Sequence, residues 1–354
     1  MSVCMVEYQG RCDEKKTAVG HSPKVLMEYY KILSDFTDVT IFAPRTILRS
    51  IDRAVSKNAK VLPCNIVMKS NNSLFTKINN KIHMFNNIGL ALKNTNADIV
   101  WFFNVEFYFW LWIAFHKKSK KKIVCTSFIG GYQGGKLARI KQRIFEKAQK
   151  KVDVIISSGK EFDFKNCESV YIPDYMFSEF KYGKYIKNGK TGEGAVCLGT
   201  MGADKQLDEV VRVFSDAGYP LKIVGRFYDK DWPERLRKQA KKNVEIIDDY
   251  ISEDEYYELL SDAKYCVLAY KPEKYGIQTS GVLQEAMFVG TIPIAYEEVL
   301  KASNVAGLGI DDWTSINSDF LSKENEKILS DMRTRLMEDF SEESVLKKYR
   351  DIFS

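Results

Sequence analysis

Short uninterrupted apolar runs alternate with stretches of helical spacing along most of the chain. Residues 97–103, 122–127 and 152–156 are β-branched and aromatic runs of strand length, and 5–8, 39–43 and 61–66 are shorter candidates. Residues 22–33, 78–92 and 139–151 repeat apolar positions at helical spacing, the first opened by Ser22 as N-cap and Pro23 at the first helical position. Apolar strands that alternate with helices in this way predict a parallel sheet covered on both faces. A polar, glycine-bearing stretch without period follows at 174–194 and reads as a linker. The alternation then restarts, with strands at 195–198, 221–224, 244–247, 265–269 and 291–295 and helices at 204–217, 232–241 and 254–263. A last helix is expected at 341–353, capped by Ser341 with Glu342 and Glu343 in its first turn. The fold class this predicts is α/β, with two doubly wound, Rossmann-like parallel-sheet domains at 1–175 and 195–340, a linker at 176–194 and a terminal helix in 341–354.

The most informative stretch is 275–287, Tyr-Gly-Ile-Gln-Thr-Ser-Gly-Val-Leu-Gln-Glu-Ala-Met, followed by a glycine turn and a buried strand. Thr279 or Ser280 is the expected N-cap of a short helix whose Val282, Leu283, Ala286 and Met287 face a core. Gly281 lets a ligand approach the backbone, and unsatisfied N–H groups at a helix start attract anions. Glu285 is expected opposite the core-facing residues, where its carboxylate would accept hydrogen bonds from a ribose diol; the alternative is an ordinary exposed glutamate.

Charge divides the chain. Residues 1–175 carry 28 Lys+Arg against 15 Asp+Glu, net +13, and the remainder is net −7. An anionic surface or partner is therefore expected for the first half alone. Seven scattered cysteines without paired spacing read as reduced core residues, and three histidines are too few for a metal centre. The N-terminus lacks a basic segment followed by an apolar run, so no signal peptide is expected. No GxGxxG follows the first strand, which argues against a dehydrogenase.

The second half resembles the donor-binding domain of the GT-B glycosyltransferases, most closely the retaining group called group 1 or family 4. The matching residues are Gly199-Thr200-Met201-Gly202-Ala203-Asp204-Lys205, then Thr279 to Val282, then Glu285. The resemblance implies two domains facing across a cleft, with the last helix crossing back to the first. It implies that Gly199, Thr200 and Lys205 meet the donor diphosphate, that Thr279, Ser280, Gly281 and Val282 offer backbone N–H groups to the phosphates, and that Glu285 binds the ribose. The family arginine after the glycine is absent here, and Arg226 at the next strand end is the expected substitute. The first of the family's two signature glutamates is replaced by Ile277. Tyr270 would flank the base or sugar. Gly20 falls where the family places a glycine loop, which makes His21 a candidate catalytic, phosphate or acceptor contact. Glu106 is the candidate acceptor-side base.

The expected activity is transfer of a sugar from a nucleotide-diphosphate sugar to a glycan or lipid-linked acceptor in cell-surface polysaccharide synthesis, retaining and metal-independent. Lys205 and Arg226 would stabilise the leaving diphosphate, and no cofactor beyond the donor co-substrate is expected. No nucleic-acid partner is expected. The aromatic run 105–115, followed by five lysines in 117–122, suits either a sheet-packing helix or a helix at an anionic membrane surface. The expected place is the cytoplasm, peripheral on the inner face of the membrane. Two alternatives stand beside this reading: a nucleotide-sugar epimerase of related fold, and a non-catalytic partner subunit, the latter suggested by Ile277 and the missing arginine.

Overall fold

The computed structural model describes residues 1–18, 22–68, 73–186, 192–322 and 325–354, and of Lys274 the backbone alone. Gly20 and His21 lie outside the described residues. The chain divides into two compact units. One comprises Met1–Ser158, Asp163–Ile172 and Leu346–Ser354; the other comprises Gly159–Phe162 and Pro173–Val345.

The strands of the first unit are β1 (Ser2–Val6), β2 (Arg11–Cys12), β3 (Asp38–Pro44), β4 (Lys60–Leu62), β5 (Ile66–Val67), β6 (Ile99–Phe102), β7 (Lys122–Ser127), β8 (Val154–Ser157) and β9 (Glu168–Tyr171). Seven form a parallel sheet in the order β4-β3-β1-β6-β7-β8-β9, and β2 pairs separately with β5. Helices α1 (Ser22–Ser34), α2 (Leu74–Asn94), α3 (Phe107–Phe115) and α4 (Lys136–Gln149) complete the alternation. Successive side chains of β6 explain why its run is apolar throughout. Trp101 packs 4.8 Å from Tyr29 of α1 and 5.0 Å from Phe353 of the C-terminal helix, while Phe102 packs 4.9 Å from Phe109 of α3. The buried Trp101 indole donates to Thr126 Oγ1 at 3.0 Å, so its polar atom is satisfied.

The aromatic run is thus a sheet-packing helix. Phe109, Trp110, Ile113 and Ala114 are buried, and Trp110 packs 4.8 Å from Phe145 of α4. The lysines behind it are partly engaged: Lys118 pairs with Asp153 at 3.0 Å, and Lys122 Nζ donates to the Ile352 carbonyl at 2.8 Å.

The second unit has β10 (Ala195–Leu198), β11 (Leu221–Gly225), β12 (Val244–Asp248), β13 (Tyr265–Val267), β14 (Ile292–Tyr296) and β15 (Leu308–Ile310), parallel in the order β12-β11-β10-β13-β14-β15. Its helices include α5 (Leu207–Ala217), α6 (Trp232–Gln239), α7 (Glu253–Asp262) and α8 (Gly281–Val289). The edge strand β15, three residues long, has no distinct signal in the sequence. The stretch read as a linker differs from that reading in its middle. Tyr182 and Tyr185 are buried in the core of this unit, 5.5 and 5.1 Å from the Tyr257 ring. Their aromatic rings have no periodic pattern around them, yet they are core residues. The terminal helix Glu342–Phe353 is capped as expected, Ser344 N–H donating to Ser341 Oγ at 3.3 Å.

In each sheet the opening strand lies inside, with the next strands on one side and later ones on the other. The reversal falls between β1 and β6 and between β10 and β13. Open parallel sheets bind ligands beyond the carboxyl ends of the strands at such a reversal. At the first of these ends sits Glu7, 2% exposed, whose carboxylate accepts from Gly10 N–H at 2.7 Å and Gln9 N–H at 3.2 Å. Burial pushes its carboxyl from 4.5 up to about 7, against the lowering effect of those two bonds. A folded-state pKa above the unfolded one means that the native protein binds the extra proton in that window. Stability therefore falls as pH rises from 4.5 to about 7. Glu7→Gln is expected to remove that slope, so its stability relative to wild type should rise across the window by up to about 3 kcal/mol. Parallel pH curves from chemical unfolding of the two proteins would show that Glu7 does not titrate there.

Candidate functional site

The site in the second unit is built from the backbone outward. β10 ends at Leu198, and Gly199 turns the chain with φ +99°. The next strand, β11, ends at Gly225, where a Cβ would stand 1.7 Å from the Gly199 carbonyl oxygen. The two loops therefore touch backbone to backbone, which only glycine permits at 225. Beyond this contact Met201 N–H donates to the Arg226 carbonyl at 2.9 Å, and Tyr228 N–H donates to the Met201 carbonyl at 3.2 Å. Thr200 and the Arg226 side chain are exposed on these joined loops.

The same loop is laced to the end of β13. Gln206 N–H donates to the Ala269 carbonyl at 2.7 Å, and Lys271 N–H donates to the Asp204 carbonyl at 3.2 Å. Lys205 is thereby held 5% exposed. Its Nζ lies 3.4 Å from the Leu198 carbonyl, 3.4 Å from Met201 Sδ and 5.2 Å from the centre of the Tyr270 ring. Among the described residues no carboxylate pairs with it. Tyr270 in turn stacks on Tyr275, centroids 3.7 Å apart and planes 8° apart, and Tyr275 Oη donates to Asp204 Oδ2 at 2.9 Å. Burial pushes both phenols well above their ordinary range.

At the start of α8 the structure corrects three expectations. Ser280 occupies the N-cap position, but neither its hydroxyl nor that of Thr279 caps the helix: the Ser280 N–H donates to Ser303 Oγ at 3.0 Å, and Thr279 Oγ1 donates to the Asp174 carboxylate. Gly281 is approached by a side chain of the protein itself. A Cβ there would stand 2.2 Å from Cε2 of Tyr175, so the glycine makes room for that ring. Glu285 is not on an open face. It is 9% exposed, with Oε1 accepting from Tyr257 Oη at 2.6 Å and Oε2 from Tyr256 Oη at 2.9 Å. Burial, then the Glu285 charge, pushes both phenols up. Two partners from α7, distant in sequence, account for the inward turn. Val282 is half-buried against the core.

Lys205 and Glu285 act on one neighbour. Burial chiefly raises the Cys266 thiol of β13, with Lys205 opposing and Glu285 adding to the shift. Gly199, Thr200, Lys205, Arg226 and Tyr270 thus gather at the carboxyl ends of β10, β11 and β13, with Glu285 near the same strand. Sequence reasoning missed Gly225 as the contact glycine, the tyrosine pair on α7, and Gln284. The last is fully buried, its Oε1 accepting from Tyr175 N–H at 3.2 Å and its Nε2 donating to the Ser303 carbonyl at 3.3 Å. A polar residue amid Val282, Leu283 and Ala286 was the available signal for it.

In the first unit Glu106 sits beyond β6 and caps the start of α3 in position, its carboxylate paired with Arg11 and its N–H donating to Tyr8 Oη at 3.2 Å. Among the described residues no group of three or more His, Cys, Asp and Glu side chains is arranged to hold a metal ion.

Solved structures with this arrangement settle the fold. Sucrose-phosphate synthase from Thermosynechococcus elongatus matches with a TM-score of 0.66 at 13% identity, over 99% of each chain. The fold is GT-B. HepE from Anabaena, solved in complex with UDP, matches at 0.65 and 11% identity over 99% of each chain. A UDP-forming alpha,alpha-trehalose-phosphate synthase from Burkholderia xenovorans, in complex with glucose-6-phosphate, matches at 0.66 and 10% identity over 100% of each chain. No family model matches the GT-B chain described here, and no curated protein matches its sequence.

The glycine contact separates two kinds of substitution. Gly225→Ala meets backbone and is expected to destabilise by about 2–4 kcal/mol. Gly199→Ala has open space around its Cβ and suffers only backbone strain, about 1–2 kcal/mol. Unfolding midpoints in urea rank the two; an equal or reversed order would place the contact elsewhere.

Proposed function

We propose that the chain is a glycosyltransferase that moves a sugar from a nucleotide-diphosphate sugar to a glycan or lipid-linked acceptor, with retention and without a metal, in cell-surface polysaccharide synthesis. The observation that carries this reading is the buried Lys205 ammonium at the β10/β13 reversal, held by a carbonyl, a thioether and a ring face rather than by a carboxylate. A buried cation so placed favours an anion, and the donor diphosphate is the anion that this fold commonly serves. Arg226 adds a second positive charge from the adjoining loop, and the N–H groups of the first turn of α8, with its dipole, favour the same anion. Thr200 lies on the Gly199 turn beside them, and Tyr270 flanks the base or the sugar.

Glu285 then takes the ribose. Its Oε1 accepts from Tyr257 and its Oε2 from Tyr256, the kind of hydroxyl contact that a carboxylate also makes with a ribose diol. In the transfer step the bond from the sugar C1 to the departing phosphate oxygen breaks while C1 bonds to the acceptor oxygen on the same face. The acceptor proton passes to the departing phosphate, so no separate base is required. Glu106 is the acceptor-side carboxylate of this reading. The place of action we propose is the cytoplasmic face of a membrane, with the basic first unit toward anionic lipid.

Calorimetric titration with UDP, GDP and ADP tests the donor side. HepE was solved with UDP, which makes UDP the first nucleotide to try. One of the three is expected to bind in the micromolar range, and Lys205→Ala and Glu285→Ala are each expected to lose at least about 1.4 kcal/mol, a tenfold weakening. No binding of any of the three would overturn the reading. Sugar conversion without an acceptor would replace it with an epimerase.

A further inference from the structure

Among the described residues of the first unit, six of the ten exposed large apolar side chains lie on two helices, α2 and α4. Helix α2 has no buried residue before Met84, yet its first turns carry Leu74 at 75% and Phe75 at 80% exposure, with Ile78 and Ile82 also exposed. At 100° per residue these four fall within an arc of about 100° on one side of the helix. On α4, Leu137 at 67% and Ile140 at 55% lie one turn apart on an outer face. Both stretches border the first turn of α3. Lys81 of α2 lies 4.9 Å from the Tyr108 ring, Tyr108 packs 5.6 Å from Phe107, and Lys141 of α4 lies 5.3 Å from the Phe107 ring. Because α3 begins just beyond the carboxyl end of β6, this surface adjoins the end of the sheet that holds Glu106 and Arg11.

The charge on this surface has one sign. α2 carries Lys77, Lys81 and Lys93 with no carboxylate, and α4 carries five Lys and Arg residues against Glu146. That glutamate accepts a hydrogen bond from Gln142 at 3.0 Å.

We propose that the outer faces of α2 and α4 form a docking surface for an anionic lipid bilayer. Large apolar side chains that project from surface helices enter the headgroup boundary, and lysines and arginines beside them meet lipid phosphates. This assigns the membrane contact to other residues than the aromatic run 105–115, of which Val105, Phe109, Trp110, Ile113 and Ala114 are buried. It rests on the membrane part of the reading above and not on the transfer chemistry. A lipid-linked acceptor held at this surface would enter beside Glu106.

Flotation of the full chain with vesicles tests it, using phosphatidylcholine alone and phosphatidylcholine mixed with phosphatidylglycerol. Wild type should float with the anionic vesicles only, and added salt should weaken the association. Phe75→Ser with Ile78→Ser, and separately Leu137→Ser with Ile140→Ser, should each cut anionic-vesicle binding about tenfold while leaving circular dichroism and nucleotide binding unchanged. Wild type that stays at the bottom of the gradient overturns the membrane reading itself. Variants that float like wild type overturn this assignment alone. A wild-type dimer that becomes monomeric in the variants, with vesicle binding intact, identifies the surface as a contact with a second copy and also overturns it.

Discussion

A parallel sheet covered on both faces leaves polar chemistry nowhere to reside except beyond its strand ends. That constraint organises both units of this chain. In β6 and β10 every side chain is buried, so no residue along either strand is available to a ligand. What remains is the carboxyl end at the point where the strand order reverses, and charged residues collect there: Glu7, Glu106 and Arg11 in one unit, Lys205 and Arg226 in the other. The close contact of Gly225 with Gly199 shows how tightly the second of these ends is constructed, since two loops must pass with no side chain between them. The position of Lys205 follows from that contact and from the two backbone bonds that tie its loop to 269–271.

Burying a lysine and a glutamate in one small region raises the question of why they do not simply pair. The structure holds them apart. Glu285 is turned toward α7 by two phenols, while Lys205 is turned toward the Gly199 loop by a carbonyl and a ring face. The neighbours named here are neutral dipoles, which cost less to bury than a second charge. A direct pair would be quieter electrostatically and would leave neither group able to meet a ligand. The Tyr257 ring is itself packed against Tyr182 and Tyr185, which ties the geometry of Glu285 to the segment that precedes β10.

The alternation of strands and helices was legible because each element's burial is written in its own period. Residues 97–103 read as a strand for the same reason that Trp101 and Phe102 find partners on opposite faces. The site was legible in its residue types and less so in its contacts. Thr279, Ser280 and Gly281 look in sequence like a cap and an open glycine, but Asp174, Ser303 and Tyr175, each more than twenty residues away, reach them and redirect them. The inward turn of Glu285 depends in the same way on α7. Local sequence encodes which groups are available, whereas partners contributed from a distance decide which way those groups face. In the stretch read as a linker, the burial of Tyr182 likewise draws on distant residues, Tyr257 and Phe288.

The charge asymmetry fits the same logic. A net charge of +13 in the first 175 residues implies an anionic partner but does not locate it. The most conspicuous lysines, 117–122, include side chains that hold backbone carbonyls and Asp153, so their charge serves the fold. The helices that matter are those whose apolar residues were not taken up by the sheet. α3 is almost wholly apolar and contributes Phe109, Trp110, Ile113 and Ala114 to the core; α2 and α4 are polar enough to be stable in water and still expose leucine, isoleucine and phenylalanine. Exposed apolar area without a partner weighs against solubility, and a ring of lysines and arginines offsets that while selecting an anionic surface over a neutral one. Hydrophobic exposure and positive charge are each ambiguous alone, and their coincidence on two helices that flank α3 is what gives the first unit a direction.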